Sequence, residues 1–135
     1  MAFRTKTRGQ FEMRLNVATR SLKDHLPKGA QNWGTARKAL NIFLRDALYN
    51  HYLRSHHYLH RIEEWLEIPL DRDVATALRA EPEGAALPRW DGVKIKRLTP
   101  RVSRQYQRVA QLVADRRRTQ RVHLDLEYWR RRDES

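Results

Sequence analysis

The sequence predicts an all-α protein, a single compact domain of five or six helices. Apolar residues recur three and four positions apart over most of the chain, which is the period of a helix face. No alternation of apolar and polar residues is long enough to predict a strand. The length of 135 residues is typical of one domain. We therefore expect one helical domain over 1–135, in which residues 1–10 form a flexible basic N-terminus.

The first two helices are predicted to form a hairpin. Apolar residues spaced four, three and four positions apart mark one face of a helix over 11–25, which ends before Pro27 and Gly29. A polar turn follows, and Thr35 is a candidate N-cap for a helix over 36–54. The apolar stripe of this second helix is wide, so we expect it to be the central and most buried helix.

Two short helices are predicted next. Apolar residues at helical spacing indicate one helix over 58–66, and Pro69 marks the break after it. Asp71 can then cap a short helix over 72–80, because its carboxylate can accept hydrogen bonds from first-turn amides.

The last third of the chain is predicted to hold a loop and two helices. Residues 81–98 contain prolines and glycines and are expected to be a loop. Thr99 followed by Pro100 is a strong start signal for a helix that runs to about residue 116, because threonine caps and proline fits the first helical position. A final short helix is expected after His123.

The charge of the chain predicts a polyanionic partner. Lys and Arg number 28 against 16 Asp and Glu, which gives a net charge of +12. The excess lies in two blocks, net +7 over 1–40 and net +9 over 94–121, around a segment of net −3 over 41–93. If the fold brings the two blocks together, they form one positive face. Nucleic acid is the leading partner, with DNA favoured over RNA.

Several classes of protein are excluded by what the sequence lacks. The absence of cysteine excludes a disulfide scaffold and a thiolate metal site. No apolar run reaches the ~18 residues of a membrane span, and the first ten residues lack the apolar core of a secretory signal. His56 and His60 could share a helix face but lack a third ligand. We expect a cytoplasmic protein with no membrane partner, no metal and no cofactor.

Three short segments, in the same order along the chain, resemble motifs of the helix-hairpin-helix DNA glycosylase superfamily. Residues 26–40 read LPKGAQNWGTARKAL and are similar to the Leu-Pro-Gly-x-Gly-x-Lys-Thr-Ala opening of the second hairpin helix. Residues 68–75 read IPLDRDVA and resemble the Pro-Val-Asp-x-x-Val signature. Residues 122–129 read VHLDLEYW and resemble a Leu-His-Leu-Asp…Trp segment of the archaeal 8-oxoguanine glycosylase branch. The chain would be a short and divergent member.

The resemblance implies roles for two residues. Lys38 would be the amine nucleophile that forms a Schiff base with the sugar C1′. Asp71 would stabilise the positive charge that develops on the sugar, or deprotonate the attacking group. The target base would be flipped out of the duplex, with Trp33, Trp65 or Trp90 as stacking partners. The plainer alternatives are a helix cap for Asp71 and a phosphate contact for Lys38.

The hairpin and the second basic block supply the predicted contacts to nucleic acid. Backbone amides at the start of a helix can face a phosphate, and clustered arginines can bind several phosphates. The residues expected to make these contacts are Lys28, Gly34, Thr35, Arg37, Arg116, Arg117, Arg118 and Arg121. Because members of the superfamily are longer, a homodimer is one way in which this chain could complete a pocket for the base.

Two other functions remain open from the sequence. Arg45 and His51 match the Arg-x(4–6)-His pattern of HEPN-type ribonucleases, in which both side chains act on the scissile phosphate and its 2′-hydroxyl. Arg54 and His60 match the pattern equally well. The third function is that of a non-catalytic accessory protein whose basic face docks on nucleic acid.

Overall fold

The computed structural model describes residues 5–50, 62–90 and 95–134. The five α-helices of this part of the chain, numbered here in order, are α1 (Arg8–His25), α2 (Trp33–Tyr49), α3 (Arg72–Ala80), α4 (Pro100–Arg116) and α5 (Leu124–Glu134). Short 3₁₀ turns lie between them, and the described residues contain no strand. The all-α prediction is therefore confirmed.

Side-chain caps set where four of the helices begin. Thr7 caps α1, Asp71 caps α3 and Thr99 caps α4, each by accepting a hydrogen bond from an amide of the first turn. The predictions for Asp71 and Thr99 are confirmed. The prediction that Thr35 caps α2 is wrong, because the Thr35 amide itself donates to Oδ1 of Asn32 at 2.9 Å. Asparagine is at least as good an N-cap as threonine, so α2 begins three residues earlier than predicted.

Two further predicted boundaries differ from the structure. Helix α1 begins at Arg8, so the last three residues of the segment 1–10 are helical rather than a flexible tail. The Arg8–Glu12 ion pair, at 3.2 Å and one turn apart, supports this first turn. Of the predicted helix over 58–66, the described part holds a single 3₁₀ turn at Glu63–Trp65. Residues 58–61 lie outside the described residues.

The apolar side chains form two core clusters. One joins α1 and α2 to the segment around Ile62 and Leu66. The other joins α3, α4 and α5 to the segment around Ile68 and Leu70. Residues 62–70 therefore run from one cluster into the other, and Glu67 lies at the crossing. This passage brings the start of α3 close to α2, where the candidate site is found.

Candidate functional site

Lys38 and Asp71 lie side by side; the resemblance to glycosylases implies that both act in one reaction. Lys38 projects from the first half of α2, and Asp71 is the N-cap of α3. The distance from Lys38 Nζ to Asp71 Oδ2 is 3.7 Å, and the two side chains are 33% and 38% exposed. An amine and a carboxylate thus meet at a position that solvent and a ligand can reach.

The two carboxylate oxygens of Asp71 have different partners. Oδ1 accepts a hydrogen bond from the Val74 amide at 2.9 Å and so caps α3. Oδ2 faces the ammonium of Lys38. The capping role and the role beside Lys38 are therefore compatible, since each uses a separate oxygen atom.

A cavity of about 590 Å³ lies between α3 and α5, and Asp71 is at its edge. The first turn of α3 lines one side, and Asp125, Tyr128 and Trp129 of α5 line the other. Trp129 is 55% exposed although it is large and apolar. Residues from two of the three segments that resemble glycosylase motifs therefore share this cavity. Lys38 does not line the cavity, but it contacts Asp71, which does.

Arg45 and Asp125 form an ion pair beside this cavity. Arg45 Nη1 donates to Asp125 Oδ2, and its Nε donates to Asp46 Oδ1 at 3.1 Å. Burial raises the pKa of Asp125, while the Arg45 guanidinium opposes the rise and the charge of Asp71 adds to it. Arg45 is thus engaged by two carboxylates. His51, its partner in the ribonuclease hypothesis, lies outside the described residues, as do Arg54 and His60.

Arg37, predicted to contact nucleic acid, is instead part of a buried ionic cluster. Its Nε and Nη2 donate to the two oxygens of Glu67 at 2.9 and 3.1 Å. Its Nη1 donates to Asn16 and to Thr19, and its guanidinium lies 5.0 Å from the centre of the Trp33 ring. Arg37 is only 6% exposed. Because these partners occupy the guanidinium, its burial argues against the predicted contact of Arg37 with a phosphate.

Glu67 and Arg121 complete that cluster. Burial disfavours the ionised carboxylate of Glu67, but the charge and hydrogen bonds of Arg37, with Arg121 and Asn41, outweigh it and hold its pKa below the ordinary value. Arg121 is 3% exposed and donates to the carbonyls of Leu66 and Trp65, and burial lowers its pKa. The burial of Arg121 likewise argues against its predicted contact with nucleic acid, because two of its guanidinium nitrogens donate to backbone carbonyls.

Two of the remaining arginines in the predicted phosphate-binding block have acidic partners. Arg116 donates to Glu81 and Glu83, and Arg117 also donates to Glu81. These carboxylates follow α3 and neutralise the C-terminal end of α4. Arg118 is exposed and ends α4 in a left-handed conformation, with φ of 55°. Of the five arginines predicted to contact nucleic acid, Arg118 is the one whose guanidinium has no protein partner among the described residues.

The hairpin turn also differs from a phosphate-binding loop in its details. Lys28 is exposed in the 3₁₀ turn Lys28–Ala30. A Cβ added at Gly34 would lie 2.1 Å from the carbonyl oxygen of Ile95 and 2.9 Å from Leu98 Cβ. Gly34 therefore permits a close approach between α2 and the 95–98 segment, rather than an approach to a ligand. The amide of Thr35 is occupied by its cap. A helix-hairpin-helix geometry stays a prediction.

The tryptophans predicted as stacking partners have different surroundings. Trp90 is buried and packs edge-on against Tyr106, with the ring centres 5.5 Å apart. Trp65 packs against Phe11. Trp33 is half-buried over Arg37, and it lines a separate groove between α1 and α4.

That groove contains two arginines that the sequence interpretation missed. Arg104 and Arg108 lie one turn apart on the exposed face of α4, and within the described residues neither has an acidic partner. The sequence did carry a signal for unpaired arginines here. Residues 94–121 contain ten basic residues and a single acidic residue, Asp115.

Comparisons with protein-family models, with curated proteins and with solved structures found no match to this chain. In the part of the chain that the structure describes, no three His, Asp or Glu side chains are grouped to hold a metal ion. None of the helices described is long and apolar enough to cross a membrane.

Proposed function

We propose that the protein binds DNA and acts on damaged sites as a base-excision enzyme or AP lyase, with Lys38 as the nucleophile and Asp71 as its carboxylate partner. The observation that carries the proposal is the 3.7 Å separation between Lys38 Nζ and Asp71 Oδ2. Both side chains are reachable from solvent, and Asp71 also borders a cavity of about 590 Å³. That volume lies within the ~300–1,000 Å³ common for small-ligand sites.

The chemistry needs an amine that can lose a proton and then attack a carbon. At an abasic site, the Lys38 nitrogen would bond to C1′ of the open-chain aldehyde, and water would leave to form a Schiff base. Asp71 Oδ2 would accept the ammonium proton; this role is supported by its position facing Nζ and by the helix cap using the other oxygen. Catalytic hydrogen bonds often shorten when substrate binds, so an ion-pair distance in the free protein is compatible with proton transfer.

The cavity supports the view that one base is held outside the duplex. Its wall includes Asp125, a hydrogen-bonding carboxyl, and Trp129, whose exposed ring could stack on a base. A net charge of +12 supports binding to the DNA backbone.

The experiment uses borohydride trapping on duplexes that carry an abasic site, uracil or 8-oxoguanine. Borohydride reduces a Schiff base to a stable amine, so a covalent protein–DNA adduct is expected with at least the abasic duplex. Lys38→Ala should abolish the adduct. Lys23→Ala removes a lysine from the last turn of α1 and is the matched control, which should trap as the unmodified protein does.

Other outcomes would assign a different function. DNA binding without an adduct, or trapping that is unchanged in Lys38→Ala, would overturn the nucleophile role and favour an accessory protein. Cleavage of RNA that disappears in His51→Ala would favour the ribonuclease. Absence of binding to any DNA would overturn the proposal as a whole.

A further inference from the structure

The groove between α1 and α4 is strongly basic. It has a volume of about 370 Å³, and five arginines but only two glutamates line it. Arg37 and Arg121 form its floor together with Glu67, which neutralises one of these two charges. Arg104 and Arg108 stand on its wall with no carboxylate partner among the described residues. The groove therefore keeps an excess of positive charge that nothing described in the protein balances.

The two wall arginines are spaced to bind one chain of phosphates. They are four positions apart on α4, so they lie on the same face, about 6 Å apart along the helix axis. Guanidinium groups bind phosphate oxygens in a bidentate manner, and arginine is favoured over lysine for that reason. Asn16 also lines the groove, and its side-chain nitrogen could donate to a sugar or phosphate oxygen. Gln107 lines the groove as well, but both ends of its side-chain amide are bonded to the backbone of Ile68.

The groove adjoins the Lys38–Asp71 site. Arg37 and Ser103 line the groove, and together with Lys38 they also line a closed crevice with no room for a water molecule. Trp33 lies in the groove wall near the same end of α2, where an aromatic face could stack on a base or a sugar.

We propose that this groove binds the phosphate backbone of the DNA strand, with Arg104 and Arg108 as its principal contacts. The inference rests on the proposed DNA-binding function and names the surface that performs it. It also replaces the arginine block at the end of α4, where Glu81 and Glu83 already neutralise Arg116 and Arg117.

The test measures the affinity for a fluorescent duplex with a tetrahydrofuran abasic-site analogue over a series of salt concentrations. Loss of two phosphate contacts should reduce the slope of log K against log salt by about 1.8, because each contact contributes about 0.9. Arg104→Gln/Arg108→Gln is the test variant. Arg20→Gln/Arg130→Gln removes the same charge from exposed positions outside the groove and is the matched control. Thermal melting of both variants checks that each is folded.

The outcomes separate the groove from the proposed function. If the unmodified protein does not bind the duplex, the proposed DNA binding is wrong. If the unmodified protein binds but the groove variant keeps the full slope of log K against log salt, the groove is not the binding surface. The same conclusion follows if the slope falls as much in the control variant as in the groove variant. A slope reduced in the groove variant alone supports the groove. That variant should still give the borohydride adduct on a saturating duplex with a natural abasic site, which would show that the chemistry at Lys38 is intact.

Discussion

Arg37 and Lys38 are neighbours in the sequence but have opposite environments. Arg37 is 6% exposed, and its donors bind Glu67, Asn16 and Thr19 inside the protein. Lys38 is 33% exposed and faces one oxygen of Asp71. Consecutive residues of a helix point about 100° apart, so one cation enters the junction of the two core clusters and the other reaches the edge of a cavity.

This contrast separates a buried cation that holds the fold together from a partly exposed cation that is available for the proposed chemistry. The buried cluster around Glu67 connects α2 to the segment that leads into α3. It thereby positions Lys38 against Asp71 without using either of them. We expect changes in the cluster to alter the stability of the protein, and changes in the Lys38–Asp71 pair to alter its chemistry.

The largest effect is expected from Glu67→Gln. This change keeps the shape of the side chain but leaves Arg37 and Arg121 as buried charges without a counter-ion. Breaking a buried pair in this way costs about 3–5 kcal/mol of unfolding free energy. Urea denaturation measures the loss. Lys38→Ala is the comparison, and it should cost less than about 1 kcal/mol because a partly exposed pair contributes little. Equal losses would contradict the division of roles.

Part of the stability contributed by Glu67 should depend on pH. The pKa of Glu67 in the folded protein is below the ordinary value of about 4.3. Its contribution to the free energy of unfolding is therefore complete above about pH 4.3. The contribution is lost as the pH falls through the folded-state pKa. Denaturation between pH 6 and 3 should therefore show a loss of stability in the unmodified protein that is smaller in Glu67→Gln. Parallel curves would show that Glu67 does not titrate in this way.

A smaller loss is expected from Gly34→Ala, which tests how the start of α2 is held. The new Cβ would lie 2.1 Å from the backbone oxygen of Ile95, so the helix or the 95–98 segment must move. Overpacking of this kind costs about 1–3 kcal/mol. Gly29→Ala is the control, because a Cβ there meets nothing within 4 Å. If both variants melt at the same temperature, the close approach at Gly34 is not a constraint.

The smallest stability effect is expected at Asp71, where two variants distinguish the roles of its two carboxylate oxygens. Asp71→Ala removes the cap of α3 and should cost about 1 kcal/mol. Asp71→Asn keeps an oxygen that can cap but removes the charge that faces Lys38. We therefore expect Asn to retain the thermal stability that Ala loses, while both variants slow the formation of the trapped adduct. Normal trapping by Asp71→Asn would reduce Asp71 to a helix cap.

The helices were predictable because their signals are local. The Asp71 cap and the Thr99–Pro100 start depend on residues within one turn of each other, and both occur as predicted. The meeting of Lys38 with Asp71 followed from two motifs that resemble one family, rather than from periodicity. Which arginines are buried in ion pairs was not predictable, since the partner of Arg37 is Glu67, 30 residues away in the sequence. Only the folded chain shows which basic residues keep their charge exposed.

The central claim is that the amine of Lys38 reacts with DNA beside Asp71, and the most direct measurement is to map the trapped adduct. The protein is reduced with borohydride on an abasic duplex, digested, and analysed by mass spectrometry. We predict that the modified residue is Lys38. Modification of the N-terminal amine or of another lysine, or the absence of an adduct from protein that binds the duplex, would contradict it.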